Sequence, residues 1–203
     1  MGEQNKQKNT IIKDAVALFV ITLVAGLLLG LVNQVTKEPI AASQQKAKNE
    51  AYEKVFLENH QFQENSQIQE QLTGGTFDGA EISEILEAKD SNGNVTGYVM
   101  NLVAKEGYGG EIVIAAGVLK DGTLTGISIL SHSETAGLGA KCTEESFTTQ
   151  FKGLKGPEIS YSQSGKSQEN EFDAISGATI TSKAIMKGIN AGLEFLQANG
   201  HIG

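Results

Sequence analysis

The polypeptide has 203 residues, 39% of them hydrophobic and 20% charged, with a formal net charge of −8. One cysteine, Cys142, and three histidines, His60, His132 and His201, argue against a disulfide framework, a cysteine-rich metal centre or a multi-histidine metal site. All 16 basic residues are lysines, and the acidic balance argues against nucleic acid, which requires a basic footprint.

The first segment, residues 1–14, carries Lys6, Lys8 and Lys13 against Glu3 and Asp14. Residues 15–32 then form an apolar run of eighteen in which Thr22 is the one polar side chain. As a helix at ~1.5 Å per residue the run spans about 27 Å, close to the ~30 Å hydrocarbon core of a bilayer. The reading is a transmembrane helix over residues 15–35, ended by Pro39, which lacks the N–H that a helix needs. The rival reading is a cleaved signal peptide, whose apolar region is ~7–15 residues long and ends near a small-x-small site. Here the run is longer and passes into VNQVTKEPI. Gly26 and Gly30 have the G-x-x-x-G spacing that allows close helix approach. The early lysines favour an inside N-terminus, a bias that Lys37, Lys46 and Lys48 blunt.

Residues 36–75 read as a helical stalk or linker. Ala47, Ala51 and Val55 recur at helical spacing, and residues 60–72 are rich in Gln, Glu and Asn until Gly74-Gly75 closes them. A globular domain follows over residues 76–203. Strands are predicted at 81–89, 95–104, 112–119 and 124–130, with a tight hairpin at Asp90-Ser91-Asn92-Gly93 and a second turn at Lys120-Asp121-Gly122. After Ser131 come glycine-punctuated loops, a short helix near 144–151 and a final helix over 183–197. That helix places Ile185, Ile189, Leu193 and Leu196 on one face. The class is α+β: an N-terminal transmembrane helix, then an antiparallel sheet with flanking helices.

The stretch Asp173-Ala174-Ile175-Ser176-Gly177-Ala178-Thr179-Ile180-Thr181-Ser182 runs directly into the last helix. Thr181 or Ser182 is a natural N-cap, and the small residues before them let a bulky group approach the backbone. A helix N-terminus attracts anions through unpaired N–H groups and its dipole, and Lys183 adds charge. Two readings follow from the residues: a phosphate seat lined by hydroxyls, or a hydroxyl-capped helix after a glycine turn.

The string D-A-I-S-G-A-T, from Asp173 to Thr179, resembles the acceptor signature of proteins that carry covalently attached FMN. The resemblance implies that a flavin transferase esterifies the FMN phosphate onto Thr179. Asp173, Ser176, Gly177 and Ala178 complete the signature, Ser182 and Lys183 flank it, and Thr181 is the fallback acceptor. The loop His132-Ser133-Glu134-Thr135-Ala136-Gly137-Leu138-Gly139-Ala140-Lys141 resembles the Glu-Thr-Pro-Gly-Leu-Gly loop that lies against the flavin in that family. It implies contacts from Glu134, Thr135, Gly137, Leu138 and Gly139, with Ala136 in place of the usual proline. Gly107-Tyr108-Gly109-Gly110 matches a further family feature.

With its one apolar helix, the chain is similar over nearly its whole length to the G subunits of Rnf electron-transport complexes. That resemblance implies an electron-transfer subunit of a translocase that couples electron flow between ferredoxin and NAD to ion movement. It implies other membrane and redox subunits, membrane lipid and the flavin transferase as partners, and no catalytic acid, base or metal of its own. With the lysine bias noted above, the reading is a single pass through the cell membrane, with the N-terminus cytoplasmic and the domain on the outer (periplasmic or extracellular) face. The alternatives are the FMN-carrying C subunits of sodium-pumping NADH:quinone reductases, which share the motif but are usually longer, and a membrane-anchored non-redox binding module. A hydrolase using Ser176 or Ser133 with His132 and Glu134 lacks the G-x-S-x-G elbow. Cys142 has no partner cysteine for redox work.

Overall fold

The computed structural model of the chain describes residues 2–56, 60–72, 77–166 and 168–203, with side chains from Lys13 onward. Two compact units result, Met1–Lys46 and Ala47–Gly203. The side chains of Glu3, Lys6 and Lys8, and the Gly74-Gly75 pair, lie outside the described residues.

The first unit belongs to helix α1 (Gly2–Val55). Phe19, Ile21, Leu27 and Leu29 are all exposed, and the most apolar eighteen-residue window has no buried residue. Apolar side chains on every face suit a hydrocarbon surround, and the helix is long and apolar enough to cross a membrane. Pro39 does not end it: α1 continues to Val55. A proline in a long helix removes one backbone hydrogen bond and crowds the preceding turn, which strong helix formers on both sides can absorb.

The second unit begins with the last turns of α1 and continues through β1 (Gln61–Glu64), α2 (Ser66–Leu72), β2 (Ala80–Lys89), β3 (Val95–Ala104), β4 (Ile112–Leu119) and β5 (Leu124–Ser131). The five strands form one sheet in the order β1-β2-β3-β4-β5, each neighbour antiparallel. Strand β1 departs from the predicted helix or linker. Its polar residues occupy a sheet edge, where one side of the ladder is open to water, while Phe62 stacks edge-on with Tyr52 and Phe56 at 5.9 and 6.3 Å.

Both faces of the sheet are covered, which is why β3 and β4 read as nearly unbroken apolar runs. Met100, Leu102, Ile112, Ile114 and Val118 point to the main core. Val99, Ala115 and Ala88 point to a second core with Ala51, Tyr52, Val55 and Phe56. A bulge between Ile82 and Glu84 lets Ile82 and Ile85, three residues apart, share the main core. The predicted tight hairpin is instead a five-residue loop, 90–94, because the Asp90 carboxylate accepts the Asn92 and Asn94 N–H groups at 2.8 and 2.9 Å.

Beyond the sheet come a 3-10 turn (Gly139–Thr143), α3 (Glu145–Thr148), a second 3-10 turn (Thr149–Phe151), β6 (Ser160–Ser162), β7 (Glu171–Asp173) and α4 (Thr179–Ala198). The β6–β7 pair is parallel and lies in what the sequence reads as loop. Phe172 anchors it against Phe151 and Phe147, with ring centroids 4.5 and 5.8 Å apart. On α4, Ile185, Ile189, Leu193 and Leu196 are buried against the sheet, which fixes where the start of that helix lies.

Candidate functional site

The approach to α4 is built from short backbone links. Ala174 donates its N–H to the Ser162 carbonyl at 2.8 Å, and Ala178 donates to Ile175 at 2.9 Å. Gly177 sits at φ +76°, in the left-handed region, so the turn requires a residue without a Cβ penalty. The helix starts at Thr179, four residues earlier than its apolar stripe suggests. Neither Thr181 nor Ser182 caps it. The N-cap position is Ala178, and among the described residues no side chain caps the helix start. Ser182 instead accepts the Ile175 N–H at 2.9 Å and donates to the Ala178 carbonyl at 3.2 Å, pinning the turn from inside. The first-turn amides are thereby left for an external acceptor, at the positive end of a twenty-residue helix.

That helix start forms one wall of a cavity of about 520 Å³, the size range of small-ligand sites. Gly177, Ala178, Thr179, Ile180 and Thr181 line it from α4 and the turn before it. Glu134, Thr135, Leu138 and Gly139 line it from the loop after β5, and Tyr108 from the loop after β3. Glu134 is 8% exposed; its carboxylate accepts the Gly109 N–H at 2.9 Å and the Thr181 hydroxyl at 2.5 Å. Thr179 is half-buried and accepts a 3.4 Å hydrogen bond from the exposed Gln163 amide.

Eight of the thirteen sequence-named residues therefore line one cavity: Glu134, Thr135, Leu138, Gly139, Gly177, Ala178, Thr179 and Thr181. The other five do not line it. Asp173 and Ser176 line a separate cavity of about 170 Å³ with Lys141, Glu144 and Gln150. Ser182 is buried behind the turn, Lys183 is exposed on α4, and Gly137 adopts φ +77° in its loop. Asp173 ends β7, where its N–H donates to the Gln150 side chain at 2.7 Å.

Tyr108, which the sequence reading placed only in a motif loop, and Ile180, which it did not name as a site residue, also line the cavity. Among the described residues of the second unit, the exposed large hydrophobics are Tyr108, Leu138 and Ile180, and all three line this cavity. The available signal was that Ile180 falls off the stripe of Ile185, Ile189, Leu193 and Leu196, an apolar side chain the core does not use.

The Ser-His-Glu arrangement does not assemble. His132 Nδ1 accepts the Glu134 N–H at 3.1 Å, while the two Glu134 oxygens go to Gly109 and Thr181. Cys142 is fully buried, and burial together with the nearby Glu134 carboxylate pushes its thiol up to about 11. A protonated, buried thiol is a packing residue.

The chain matches the family described as "FMN-binding domain" over residues 107–194, the stretch from the Tyr108 loop through most of α4. It also matches the family described as "RnfG N-terminal region" over residues 1–55. It is 33% identical over 191 residues, 92% of each chain, to the G subunit of the Na(+)-translocating ferredoxin:NAD(+) oxidoreductase complex of Acetobacterium woodii. It is 33% identical over 193 residues to the G subunit of the ion-translocating oxidoreductase complex of Methanosarcina acetivorans, covering 93% of this chain and 95% of that one. The crystal structure of the C subunit of Na(+)-translocating NADH-quinone reductase from Parabacteroides distasonis aligns with a TM-score of 0.46 at 28% identity, over 55% of this chain and 61% of that one. An apolar helix joined to an FMN-binding domain defines the class of protein. Within that class, the chain belongs to the family of G subunits of ion-translocating oxidoreductase complexes of the Rnf type.

Proposed function

We propose that this chain is the electron-transfer subunit of a membrane-bound Rnf-type complex and carries FMN esterified to Thr179. The observation that carries the reading is the Thr179 hydroxyl, set in the wall of the cavity at the uncapped first turn of α4. The residues present suit the group. The free first-turn amides offer donors to a phosphodiester, and Tyr108, Leu138 and Ile180 offer apolar surface to a flat ring. Bound there, FMN supplies redox chemistry that accepts electrons singly or in pairs. The chain would contribute placement: Thr179 Oγ would hold the phosphate end of the cofactor, and the exposed Tyr108, Leu138 and Ile180 would cover its ring.

Its partners are the other membrane and redox subunits of the complex, together with a flavin transferase for maturation. The complex couples electron transfer between ferredoxin and NAD to ion translocation. The lysines before the apolar run favour a cytoplasmic N-terminus and a domain on the outer face. Protease added to right-side-out vesicles then degrades the second unit, and in inverted vesicles leaves it intact.

The decisive experiment is intact mass of the full chain made together with a flavin transferase. The expected mass exceeds the sequence mass by FMN less one water, and the denatured band fluoresces. Thr179→Ala removes both signals. A Thr179→Ala chain that keeps flavin after denaturation refutes the assignment.

A further inference from the structure

Three segments meet at Glu134. Its Oε1 holds the Gly109 N–H at 2.9 Å, and its Oε2 holds the Thr181 hydroxyl at 2.5 Å. The carboxylate is 8% exposed and Thr181 is 1% exposed. Gly139 packs over the same pair: a Cβ there would collide with Glu134 Oε2 and lie 2.6 Å from Thr181 Oγ1. Buried polar oxygens are stable only when paired, and here both carboxylate oxygens are used within the protein.

The two threonines of the first turn therefore have opposite environments. Thr181 is sealed, with its proton committed to Glu134. Thr179 is half-buried at the cavity wall, and its bond to the exposed Gln163 amide is long at 3.4 Å. Because residues two apart on a helix point in different directions, fixing Thr181 also fixes where Thr179 points.

We infer that Glu134 is a positioning residue and not a cofactor contact. It is a buckle that joins the Gly109 loop, the Gly139 turn and the first turn of α4, locking Thr181 as a donor and leaving Thr179 as the hydroxyl open to the flavin phosphate. The inference rests on the reading of Thr179 as the flavin acceptor.

The test uses the full chain co-expressed with a flavin transferase for a fixed time, with the flavinylated fraction read by intact mass. Glu134→Ala and Thr181→Val each lower that fraction about fivefold or more, and the double variant is no worse than Glu134→Ala alone, as expected when the Thr181 bond is one arm of Glu134. Thr181→Ser, which keeps the donor, restores the wild-type fraction. In the unloaded protein, amide exchange at Gly109 quickens in Thr181→Val while Ile185 stays protected. This arm remains decisive if Glu134→Ala does not fold. Wild-type flavinylation of both single variants, losses that multiply in the double variant, or unchanged exchange at Gly109 overturns the buckle. Flavin retained on Thr179→Ala refutes the acceptor assignment instead, and the exchange measurement still decides the role of Glu134.

Discussion

Removing the Phe172 ring tests whether the turn leading into α4 depends on the core beneath it. Phe172 is fully buried in β7, one residue before Asp173, and its ring lies 4.5 Å from that of Phe151, 5.8 Å from Phe147 and 6.4 Å from Tyr161. Truncating a core phenylalanine costs ~3–5 kcal/mol through lost transfer energy and the cavity left behind. Each favourable aromatic pair adds ~0.5–1.5 kcal/mol beyond area, so three neighbouring rings put Phe172→Ala near the upper end of that range. Against a typical domain stability of ~5–15 kcal/mol this is a large fraction. Phe172→Leu fills most of the volume but loses the three ring pairs, and costs less than Phe172→Ala. The assay is urea unfolding of the full chain in detergent, followed by near-ultraviolet circular dichroism of Tyr and Phe, since the chain has no tryptophan. A loss below ~1 kcal/mol for Phe172→Ala would refute the claim that this cluster anchors the segment leading to Thr179.

Two further outcomes follow from the same geometry. Gly177→Ala forces a Cβ into the left-handed region at φ +76° and within 3.3 Å of Leu138 Cδ2, costing ~1–2 kcal/mol in the same unfolding assay, while Gly177→Asn recovers part of it. For Cys142 the folded thiol, pushed up to about 11, holds its proton more tightly than an unfolded thiol near 9. Its contribution to stability is therefore complete below pH 9 and is lost as pH rises towards 11. Iodoacetamide at pH 9 labels the urea-unfolded chain rapidly and the folded chain slowly; equal rates contradict the burial of the thiol.

Strands β3 and β4 were legible to the residue, because a β-branched apolar run bounded by turn residues has few other solutions. Strand β1 was not, since Gln, Glu and Asn carry no strand signal and the pairing partner is over twenty residues away. The Asn-Gly pair marked the hairpin, but the Asp90 side chain enlarged it, a competition between side-chain and backbone acceptors that spacing alone does not decide. At the site, the two glycine-rich loops and the helix start were readable as motifs. Their convergence was not, because it depends on the α4 stripe seating against the sheet. Local pattern made Thr181 and Ser182 look like caps; tertiary partners, Glu134 and the Ile175 amide, claimed them instead. Tyr108 and Ile180 show the reverse case, apolar side chains that no core position explains.

The meander of β1 to β5 joins only chain neighbours, so each ribbon can zip onto the last as synthesis proceeds. Helix α4 is the final element and closes the hydrophobic interior from the far end of the chain. The cavity wall at Thr179 thus forms only when α4 docks on the sheet, and a half-folded copy lacks it. Under the function proposed above, flavin loading would then serve as a certificate of finished folding.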